Sequence, residues 1–585
     1  MAEYSLLSKK HKDAMHLDLE KRKSLRFRIV MVILIVFSIS NFLQSDGAIN
    51  VQAGKNVFIN QAGYLPGEIK RVVVDRSAKG FTVVEEKTGK KVFAAKLKSI
   101  KDNTTKKKIW AGNFTPLSRP GKYRIKVTGV GDSYSFVIDP NIYTQVLNLA
   151  MRSFYLQRCG IILNDEETGL THPRCHKNDG VTARKDNYYE AGQPLPCMGG
   201  WHDAGDYGKY TTTTTIAVAH MLVAYELWSE KFSDGQFRIP ESGNGVPDIL
   251  DESRIGLEWL LTMQRPDGAV YHKLAGSRWP SFVSPDDEHQ TRFIYGISTA
   301  DTGKFAATMA IAARVWKNID LPFANRVSLA ALKAWRFLAN NEYIWDHLDL
   351  DDDGSGAYGK TDDLAERIWA GLELSTITDT GHPIKEWTTQ LDSYQLADIG
   401  WEDPAALGFF NYTRSPYALP EIKGITEGKI IDLAEKNLKS AMSSGYRYTL
   451  NFSEFQWASN KQGLSRGIAM LLADQLRAKP EYRQNALTQL DFVLGLNPLS
   501  KCFVTGLGSD PPLNLHHRLA IATGKIIPGL LAGGPNNKGE SGVEPLAKGP
   551  YSYVDGSQSY SSNEPAIDYN AALIFAAAAF AANGK

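Results

Sequence analysis

The spacing of hydrophobic positions along the chain changes near residue 141. From Asn56 to about Asp139 these positions form short runs of β-branched and aromatic residues separated by turn residues. Runs of this kind predict strands. Seven strands at this spacing predict a β-sandwich, which we place at residues 52–140. The predicted strands begin at Val57, Arg71, Phe81, Lys91, Ile109, Gly121 and Tyr134.

Beyond residue 141 the apolar residues recur at helical spacing, which predicts a large helical domain over 142–585. About twelve helices are expected, joined by long segments at 159–205, 265–297 and 495–565 that are rich in Gly, Pro and aromatic residues. Long loops on a helical scaffold are where functional sites tend to lie. The predicted helices are 142–158, 211–229, 246–264, 298–317, 323–341, 362–377, 427–443, 462–477, 480–494 and 567–583, with weaker ones at 383–397 and 401–411.

An apolar run of fifteen residues, Ile29–Leu43, follows a basic segment at 21–28. This order is typical of an export signal, and the run is short for a membrane-spanning helix. We interpret residues 1–50 as an export signal or an N-terminal membrane anchor. The protein is therefore expected to be secreted, periplasmic or tethered through 29–43 outside the cytoplasm.

Composition and charge narrow the classes of partner. Hydrophobic residues make up 43% and charged residues 22%, as in a chain that buries a sizeable core. The net charge of +2 conceals a split, because 52–140 carry 18 Lys/Arg against 7 Asp/Glu, whereas the part from residue 141 onward is acidic. This balance argues against nucleic acid and fits a neutral polymer or a small solute. We expect a monomer, and four cysteines are too few for a disulfide scaffold.

Candidate chemistry is concentrated in two segments. Asp203 and Asp206 lie three residues apart in a Gly-rich, aromatic-flanked loop, and Asp555 and Glu564 precede the last predicted helix. Two neighbouring acids can share a water, one orienting it while the other takes its proton. An inverting glycosidase needs such a base together with an acid across the sugar. On spacing alone, solvated loop acids are the alternative.

The motifs around these acids resemble those of glycoside hydrolase family 9. Residues 199–210, GGWHDAGDYGKY, are similar to the catalytic-base segment of that family, and Tyr553–Ala571 matches its C-terminal signature. Residues 502–518 resemble its histidine signature, with departures at two positions that leave the histidine and arginine intact. Val57–Pro66 is similar to the opening of an immunoglobulin-like module that precedes many of these catalytic domains.

The resemblance implies an all-α (α/α)6 barrel preceded by an all-β immunoglobulin-like sandwich. It also implies Asp206 as the general base, Asp203 as the residue that helps hold the water, and Glu564 as the general acid. His516 and Arg518 would then hydrogen-bond the sugar around the cleavage point.

For several further residues of these motifs, two roles are considered. Asp555 belongs to the family signature and is predicted as catalytic, although orienting a loop is an equal alternative. Trp201, Tyr207 and Tyr560 are predicted to bind substrate by stacking on pyranose faces, and core packing is the competing role for each.

Two metal sites are predicted. Cys159, Cys175, His176 and His202 offer the sulfur and imidazole ligands that suit zinc, and a Cys159–Cys175 disulfide is the alternative. The family resemblance favours structural zinc. Because His202 adjoins Asp203, such a metal would fix the loop that carries the base.

A calcium loop is the second predicted metal site. Asp349, Asp351 and Asp353 have the spacing of the start of a calcium loop, although position 12 is Lys360 and excludes an EF-hand. A solvated acidic turn is the alternative. No organic cofactor is expected.

The function that these observations predict is an endo-acting, inverting hydrolase of β-1,4-glucans or cellodextrins. Exo-acting alternatives are a β-glucosidase, a cellobiohydrolase or a glucosaminidase on short oligosaccharides, and residues 177–197 are a candidate wall that would close one end of a cleft. A non-catalytic carbohydrate-binding protein is the alternative of another class. The presence of Asp203, Asp206 and Glu564 argues against it.

Overall fold

The first part of the computed structural model is a two-sheet sandwich. The structure describes residues 54–346, 355–377 and 388–584. The strands are β1 Val57–Phe58, β2 Arg71–Val74, β3 Gly80–Glu85, β4 Lys91–Lys96, β5 Lys98–Lys101, β6 Lys108–Asn113, β7 Gly121–Val127, β8 Gly131–Asp132 and β9 Phe136–Ile138. One sheet has the strand order β1-β2-β6-β5 and the other β4-β3-β7-β8, with β9 paired to β7.

All seven predicted strands are present, and the sequence pattern missed two. Lys98–Lys101 (KSIK) has a single apolar residue, so its run shows no strand signal, yet it pairs along its length with β6. Gly131–Asp132 is only two residues long and pairs with the end of β7. Both strands exist because a longer neighbour offers a free hydrogen-bonding edge.

The two faces of the first sheet bury different cores. Val72, Val74 and Phe114 point into the sandwich, where aromatic side chains from both sheets pack together. Phe58 and Ile109, which face the other way, belong to the same apolar cluster as the helices that follow. The sandwich and the helical domain therefore share a continuous core across this sheet.

The rest of the described chain is mainly helical. Twelve of its helices alternate between an inner ring, whose members are almost wholly buried, and an outer ring, whose longer members each bury one face. The inner helices are α2 Thr211–Leu227, α4 Thr299–Trp316, α6 Leu364–Leu374, α8 Ala405–Arg414, α10 Ser459–Leu476 and α14 Ile567–Ala578. The outer helices are α1 Ile142–Tyr155, α3 Asp248–Thr262, α5 Leu321–Asn340, α7 Thr388–Ser393, α9 Pro420–Met442 and α11 Pro480–Val493.

Contact between α14 and α2 closes the ring, so the fold is the predicted (α/α)6 barrel. Burial explains the sequence of the inner helices, since a helix surrounded by other helices is apolar or small on every side. Ala-rich α14 is the clearest case, because all twelve of its residues are buried. Two short helices, α12 Arg518–Thr523 and α13 Tyr560–Asn563, lie in the last long segment.

The main difference in helix bounds concerns α9. The predicted start was residue 427, but the helix begins at Pro420, and its first turns include Gly424. Proline is favoured in the first turn of a helix because its missing N–H needs no partner there. The glycine weakened the helical pattern ahead of residue 427.

Two long segments between the helices contain short strands. β12 Val181–Thr182, β15 Phe293–Ile294, β14 Lys273–Ala275 and β13 Lys209–Tyr210 form one small sheet in that order. A further hairpin pairs β10 Leu163–Asn164 with β11 Thr171–His172. Since β13 leads directly into α2, this sheet fixes the end of the loop that contains Asp203 and Asp206.

Residues of the sandwich also form hydrogen bonds with the helical domain. The side-chain amide of Gln61 accepts hydrogen bonds from the backbone N–H groups of Ser509 and Asp510, both at 2.9 Å, and donates to the Ser500 carbonyl at 2.6 Å. Asn60 donates to the carboxylate of Asp491 at 2.8 Å. The module therefore holds the segment that leads to His516.

In the described ranges, no helix combines the length and apolar character that a membrane crossing requires. The predicted export or anchor segment, Ile29–Leu43, lies outside these ranges, as do Asp349, Asp351 and Asp353 of the predicted calcium loop.

Candidate active site

A cavity of about 670 Å³ lies where the N-terminal ends of the inner helices meet. Its lining comes from the residues just before these helices: Asp203 and Asp206 before α2, Tyr358 before α6, Trp401 before α8 and Glu564 before α14. Helix N-termini carry partial positive charge, which favours carboxylates at this end of the barrel. Three of the four acids predicted as catalytic, Asp203, Asp206 and Glu564, are therefore brought together in one cavity.

Asp203 is buried and held by two hydroxyl groups. Thr213 donates to one carboxylate oxygen, and Tyr358 donates to the other at 2.7 Å. Burial raises the pKa of this carboxyl well above its usual range, while the two hydroxyl donors favour the ionised form. Both oxygens are fixed in direction, which suits a residue that orients a water.

Asp206 lies on the same loop with fewer restraints. Its carboxylate accepts one hydrogen bond from the backbone N–H of Gly208, at 3.0 Å. Burial raises the pKa of Asp206, and the nearby Arg518 guanidinium acts in the opposite direction. Among the described residues no side chain or backbone group donates to its other oxygen, Oδ1, which leaves that atom free to accept a proton.

Glu564 has the protonation behaviour of a general acid. Burial and the charge of Asp206 raise its pKa to about 8, so the carboxyl is protonated at neutral pH. The backbone N–H of Gly205 donates to it at 3.0 Å. A Cβ on Gly205 would lie 2.1 Å from the His516 carbonyl oxygen and 2.8 Å from Glu564 Oε1, so only glycine fits between them.

His516 and Arg518, which are predicted to hydrogen-bond the sugar, also line the cavity. His516 Nδ1 donates to the Ser557 carbonyl at 2.6 Å, and burial lowers the pKa of the ring, so the neutral imidazole keeps Nε2 for other partners. Arg518 donates to the carbonyls of Pro280 and Gly205 at 2.8 and 3.0 Å. Its guanidinium is thus anchored beside the loop of the general base.

Asp555 does not line the cavity. It accepts hydrogen bonds from the backbone N–H groups of Leu513 and Asn514 and from Lys501, all near 3 Å, and this network keeps its pKa below the usual range. The structure therefore places Asp555 as an anchor of the segment that carries His516, which was the alternative to a catalytic role.

The predicted aromatic residues divide between packing and cavity. Trp201 is fully buried, with its ring N–H bonded to Glu252 at 2.7 Å, and the Tyr207 hydroxyl donates to the Val283 carbonyl at 2.6 Å. Neither lines the cavity. Tyr560 does line it and is 37% exposed, which leaves part of its ring available to a sugar.

Other lining residues were not identified from the sequence. Tyr358, Trp401, Trp457 and Tyr569 line the cavity alongside the acids. Three of them lie a few residues before inner helices, a position that becomes meaningful once the alternation of inner and outer helices is known. That alternation was the signal in the sequence that could have found them.

A buried charge pair lies behind the acids. Lys461 Nζ is 3.6 Å from Asp568 and 3.1 Å from Glu402, whose side chain is exposed at the cavity. Burial raises the pKa of Asp568 to about 6, and its charge disfavours ionisation of Asp203. The positive charge of Lys461 acts against burial and lowers the pKa of Asp568.

The four predicted zinc ligands converge. One ligand atom from each of Cys159, Cys175, His176 and His202 lies within 4.8 Å of the others. His176 Nδ1 is 3.4 Å from Cys159 Sγ and 3.3 Å from His202 Nε2. All four cysteines of the chain are free thiols, so the alternative disulfide is absent.

The surroundings of this cluster fit a bound metal. His176 Nε2 bonds to Glu288 at 2.9 Å, which directs Nδ1 toward the cluster in the way that carboxylates orient metal-binding histidines. Two sulfur and two imidazole donors in a buried site form the donor set of a closed tetrahedral centre. These four residues therefore form a site that can hold a structural metal ion.

Comparison with known proteins agrees with this architecture. A family model described as glycosyl hydrolase family 9 matches residues 143–577, and one for the cellulase N-terminal ig-like domain matches 52–132. Endoglucanase D of Acetivibrio thermocellus is 32% identical over 91% of this chain and 84% of its own length.

Solved structures give the same result. A metagenome-derived glycoside hydrolase family 9 endoglucanase is 43% identical, with a TM-score of 0.87 over 90% of this chain and 98% of that one. A Zn-binding triple mutant of the family 9 endoglucanase J30 is 33% identical, with a TM-score of 0.86 over 89% and 100% of the two chains. The chain therefore belongs to glycosyl hydrolase family 9 and is a glycoside hydrolase with an N-terminal immunoglobulin-like module.

Proposed function

We propose that this hydrolase cleaves β-1,4-glucosidic bonds within cellulose-type glucans or cellodextrins and inverts the anomeric centre. The observation that carries the proposal is the division of labour among three carboxyl groups in one cavity. Glu564 has a pKa of about 8, whereas Asp203 and Asp206 lie together on a loop next to Arg518 and backbone donors. Inverting glycosidases require this arrangement of an acid and a water-activating base.

The mechanism follows from these contacts. Asp203, fixed by Thr213 and Tyr358, orients a water whose proton passes to Asp206 as the oxygen attacks the anomeric carbon. Glu564 gives its proton to the glycosidic oxygen, and the bond between that oxygen and the anomeric carbon breaks. The products are a sugar with inverted configuration and a free hydroxyl group, and the proton then returns from Asp206 to Glu564 through solvent.

Endo action is supported by the placement of the candidate wall. Within the described part of the chain, none of residues 177–197 lines the cavity. That segment instead pairs with β15 through Val181 and Thr182. The aromatic rings of Trp279, Trp457 and Tyr560 along the cavity offer apolar surfaces to successive sugar rings.

Stereochemistry and product pattern test the proposal together. Proton NMR of the first products from cellohexaose should show the α-anomer, and carboxymethylcellulose should lose viscosity faster than it gains reducing ends. A β-anomer would exclude inversion, and release of a single short product with unchanged viscosity would favour the exo-acting alternatives. Binding of cello-oligosaccharides without any hydrolysis would favour a non-catalytic protein.

Zinc is the ion that we propose for the metal site. The Cys2His2 donor set and its burial support zinc, and the four protein ligands would leave no position for a catalytic water. The metal would be structural and would fix His202 next to Asp203. Elemental analysis of freshly purified protein should give one zinc per chain.

The calcium loop at Asp349, Asp351 and Asp353 and the exported location remain proposals that rest on the sequence alone. Calcium-dependent thermal stability would support the first. Recovery of the full-length chain in the membrane or extracellular fraction of its host would support the second.

A further inference from the structure

The positive charge of the sandwich is concentrated in one stretch. Residues 87–131 contain thirteen Lys/Arg and a single acid, Asp102, which is buried and hydrogen-bonded to Gly445. The excess is therefore not neutralised within the stretch. Because most of these side chains are exposed, their arrangement on the surface decides whether they form a site.

Five of these cations share the outer face of one sheet. In β3 and β7 the inward positions are buried apolar residues, and the positions between them point outward. Lys126 lies opposite Thr82, Arg124 opposite Val84, and Lys96 opposite Gly80. We call this surface the basic face, and its cations are Lys91, Lys96, Lys122, Arg124 and Lys126.

The basic face is turned away from the barrel. The other sheet supplies the surface that packs on the helices, through residues such as Phe58 and Ile109. All four lysines of the basic face are exposed, and within the described residues none of them forms an ion pair. Arg124 lies 3.7 Å from Glu86 and 3.6 Å from Asp132. Four cations are thus available to a partner.

Protection of a sheet edge does not account for this pattern. Lysines on an edge strand prevent unwanted pairing, and β4 is such a strand. However, β7 pairs with β3 on one side and with β8 and β9 on the other, so Lys122 and Lys126 protect no edge. Like charges gathered on one face also cost stability. A partner with negative charge would explain them.

The composition of the face selects the kind of partner. Within the described residues 54–140, no large hydrophobic side chain is exposed, so the module has no group to insert into a bilayer. It also offers no exposed aromatic ring for stacking on nucleic-acid bases. Lysine is a point charge without the bidentate fork by which arginine holds a single carboxylate or phosphate, so spread lysines suit a run of anionic groups more than one tightly held anion.

We propose that the basic face binds a linear polysaccharide that bears carboxylate groups. Outward positions along one strand lie about 7 Å apart, and positions two strands apart lie about 10 Å apart. These separations allow an extended polyanion to contact several lysines at once. The binding would hold the hydrolase in mixed polysaccharide material while the cleft acts on neutral chains, and it does not depend on the proposed reaction.

Affinity electrophoresis in gels containing polygalacturonate tests this proposal with the full chain. The wild-type chain should be retarded, and retardation should weaken with added salt, because exposed charges are screened. The variant Lys96→Glu/Lys122→Glu/Lys126→Glu should bind at least tenfold more weakly. The matched control is Lys423→Glu/Lys436→Glu/Lys439→Glu on α9, which makes the same change in net charge at exposed positions of the barrel.

The control should bind as the wild type does, and all three chains should hydrolyse soluble cellodextrins equally. Equal loss in both variants would show a general charge effect and would overturn the proposal. Undiminished binding of the basic-face variant to polygalacturonate would also overturn the proposal. So would tighter binding of the wild-type chain to phosphatidylserine vesicles or to single-stranded DNA than to polygalacturonate. Glu564→Gln should bind polygalacturonate normally, so a failure of the proposed reaction stays separate from a failure of this site.

Discussion

The loop 199–210 has two faces that do different work. Asp203 and Asp206 point into the cavity, whereas His202 joins the metal cluster and Tyr207 packs against its ring at 4.8 Å between centroids. Neighbouring residues of this loop thus enter the catalytic cavity and a buried structural site. The contrast teaches that one sequence motif can specify both the reacting groups and the support that positions them.

The two faces of the loop differ in how their ionisable groups are stabilised. On the cavity face, burial raises the pKa values of carboxyl groups, which costs stability in return for acid–base chemistry. On the metal face, the polar groups have partners, because Glu288 hydrogen-bonds to the ligand His176. Substitutions on the cavity face should therefore mainly lower activity, and substitutions on the metal face should mainly lower stability.

The largest effect is expected for Glu564→Gln. Loss of the proton donor should lower turnover on cellohexaose by about 10³-fold or more. A carboxyl whose pKa is raised by folding contributes stability below its ordinary value near 4.5, and that contribution is lost as the pH rises toward about 8. Thermal unfolding should therefore show the variant gaining on the wild type between pH 5 and 8.

More than a tenth of wild-type turnover in this variant would remove Glu564 from the role of acid. A lower melting temperature across that pH range would show that its carboxyl stabilises the fold, contrary to the contrast between the two faces.

Gly205→Ala should reduce turnover by about 100-fold. The added Cβ would meet the His516 carbonyl and the Glu564 carboxyl, and displacement of a catalytic group by about 1 Å has an effect of this size. Steady-state kinetics should show the loss mainly in kcat. Gly424→Ala, on an open side of α9, is the control and should be silent. A normal kcat in Gly205→Ala would show that the loop can move to accommodate the added Cβ without displacing Glu564.

On the metal face, His202→Ala should release the metal and lower the melting temperature, with turnover falling only as the loop loosens. Glu288→Gln should weaken metal retention by about 10- to 100-fold and leave all four ligands in place. Metal content and thermal unfolding measure both effects. Unchanged stability after complete removal of metal by a chelator would contradict a structural role.

The alkaline limb of kcat/KM should have its midpoint near pH 8, because activity needs protonated Glu564 and is lost as the pH rises through its pKa. A cellobioside with an activated aryl leaving group needs no proton from the enzyme and should lose this limb. Persistence of the same limb with the activated substrate would assign it to another group.

The smallest effect is expected behind the cavity. Lys461→Met removes the cation that lowers the pKa of Asp568, so this buried carboxyl becomes protonated over a wider pH range. A cation and an anion are then lost together, and the acidic limb of kcat/KM should move by less than about half a pH unit. The double variant Lys461→Met/Asp568→Asn should behave like the single variant. A large shift of the limb in the single variant that the double variant reverses would show that Asp568 stays charged without Lys461.

Periodicity in the sequence predicted the sandwich and a large helical domain, and the family resemblance of the motifs implied the barrel and the residues of the site. Helical periodicity located α2 and α4 closely because both are long, continuous and almost wholly buried helices. β5 escaped because its pairing comes from β6 and not from its own pattern.

Within the site, local sequence could not distinguish between residues that line the cavity and residues that pack behind it. Trp201 and Tyr560 both belong to motifs, but only the fold shows that one is enclosed and the other borders the cavity. Tyr358 was missed for a related reason, since its bond to Asp203 joins residues 155 positions apart. Contacts of this range have no local signature.

The bonds from Gln61 and Asn60 to the barrel have a consequence for evolution and for engineering. A module that supports the loop before His516 cannot be exchanged between enzymes as an independent unit, because its partner surface must change with it. Deleting residues 54–140 would leave the apolar contact surface of the barrel bare and would release the 500–510 loop. Recombination between family members should therefore succeed when the sandwich module and the barrel come from the same parent. It should fail when the crossover point separates these two domains.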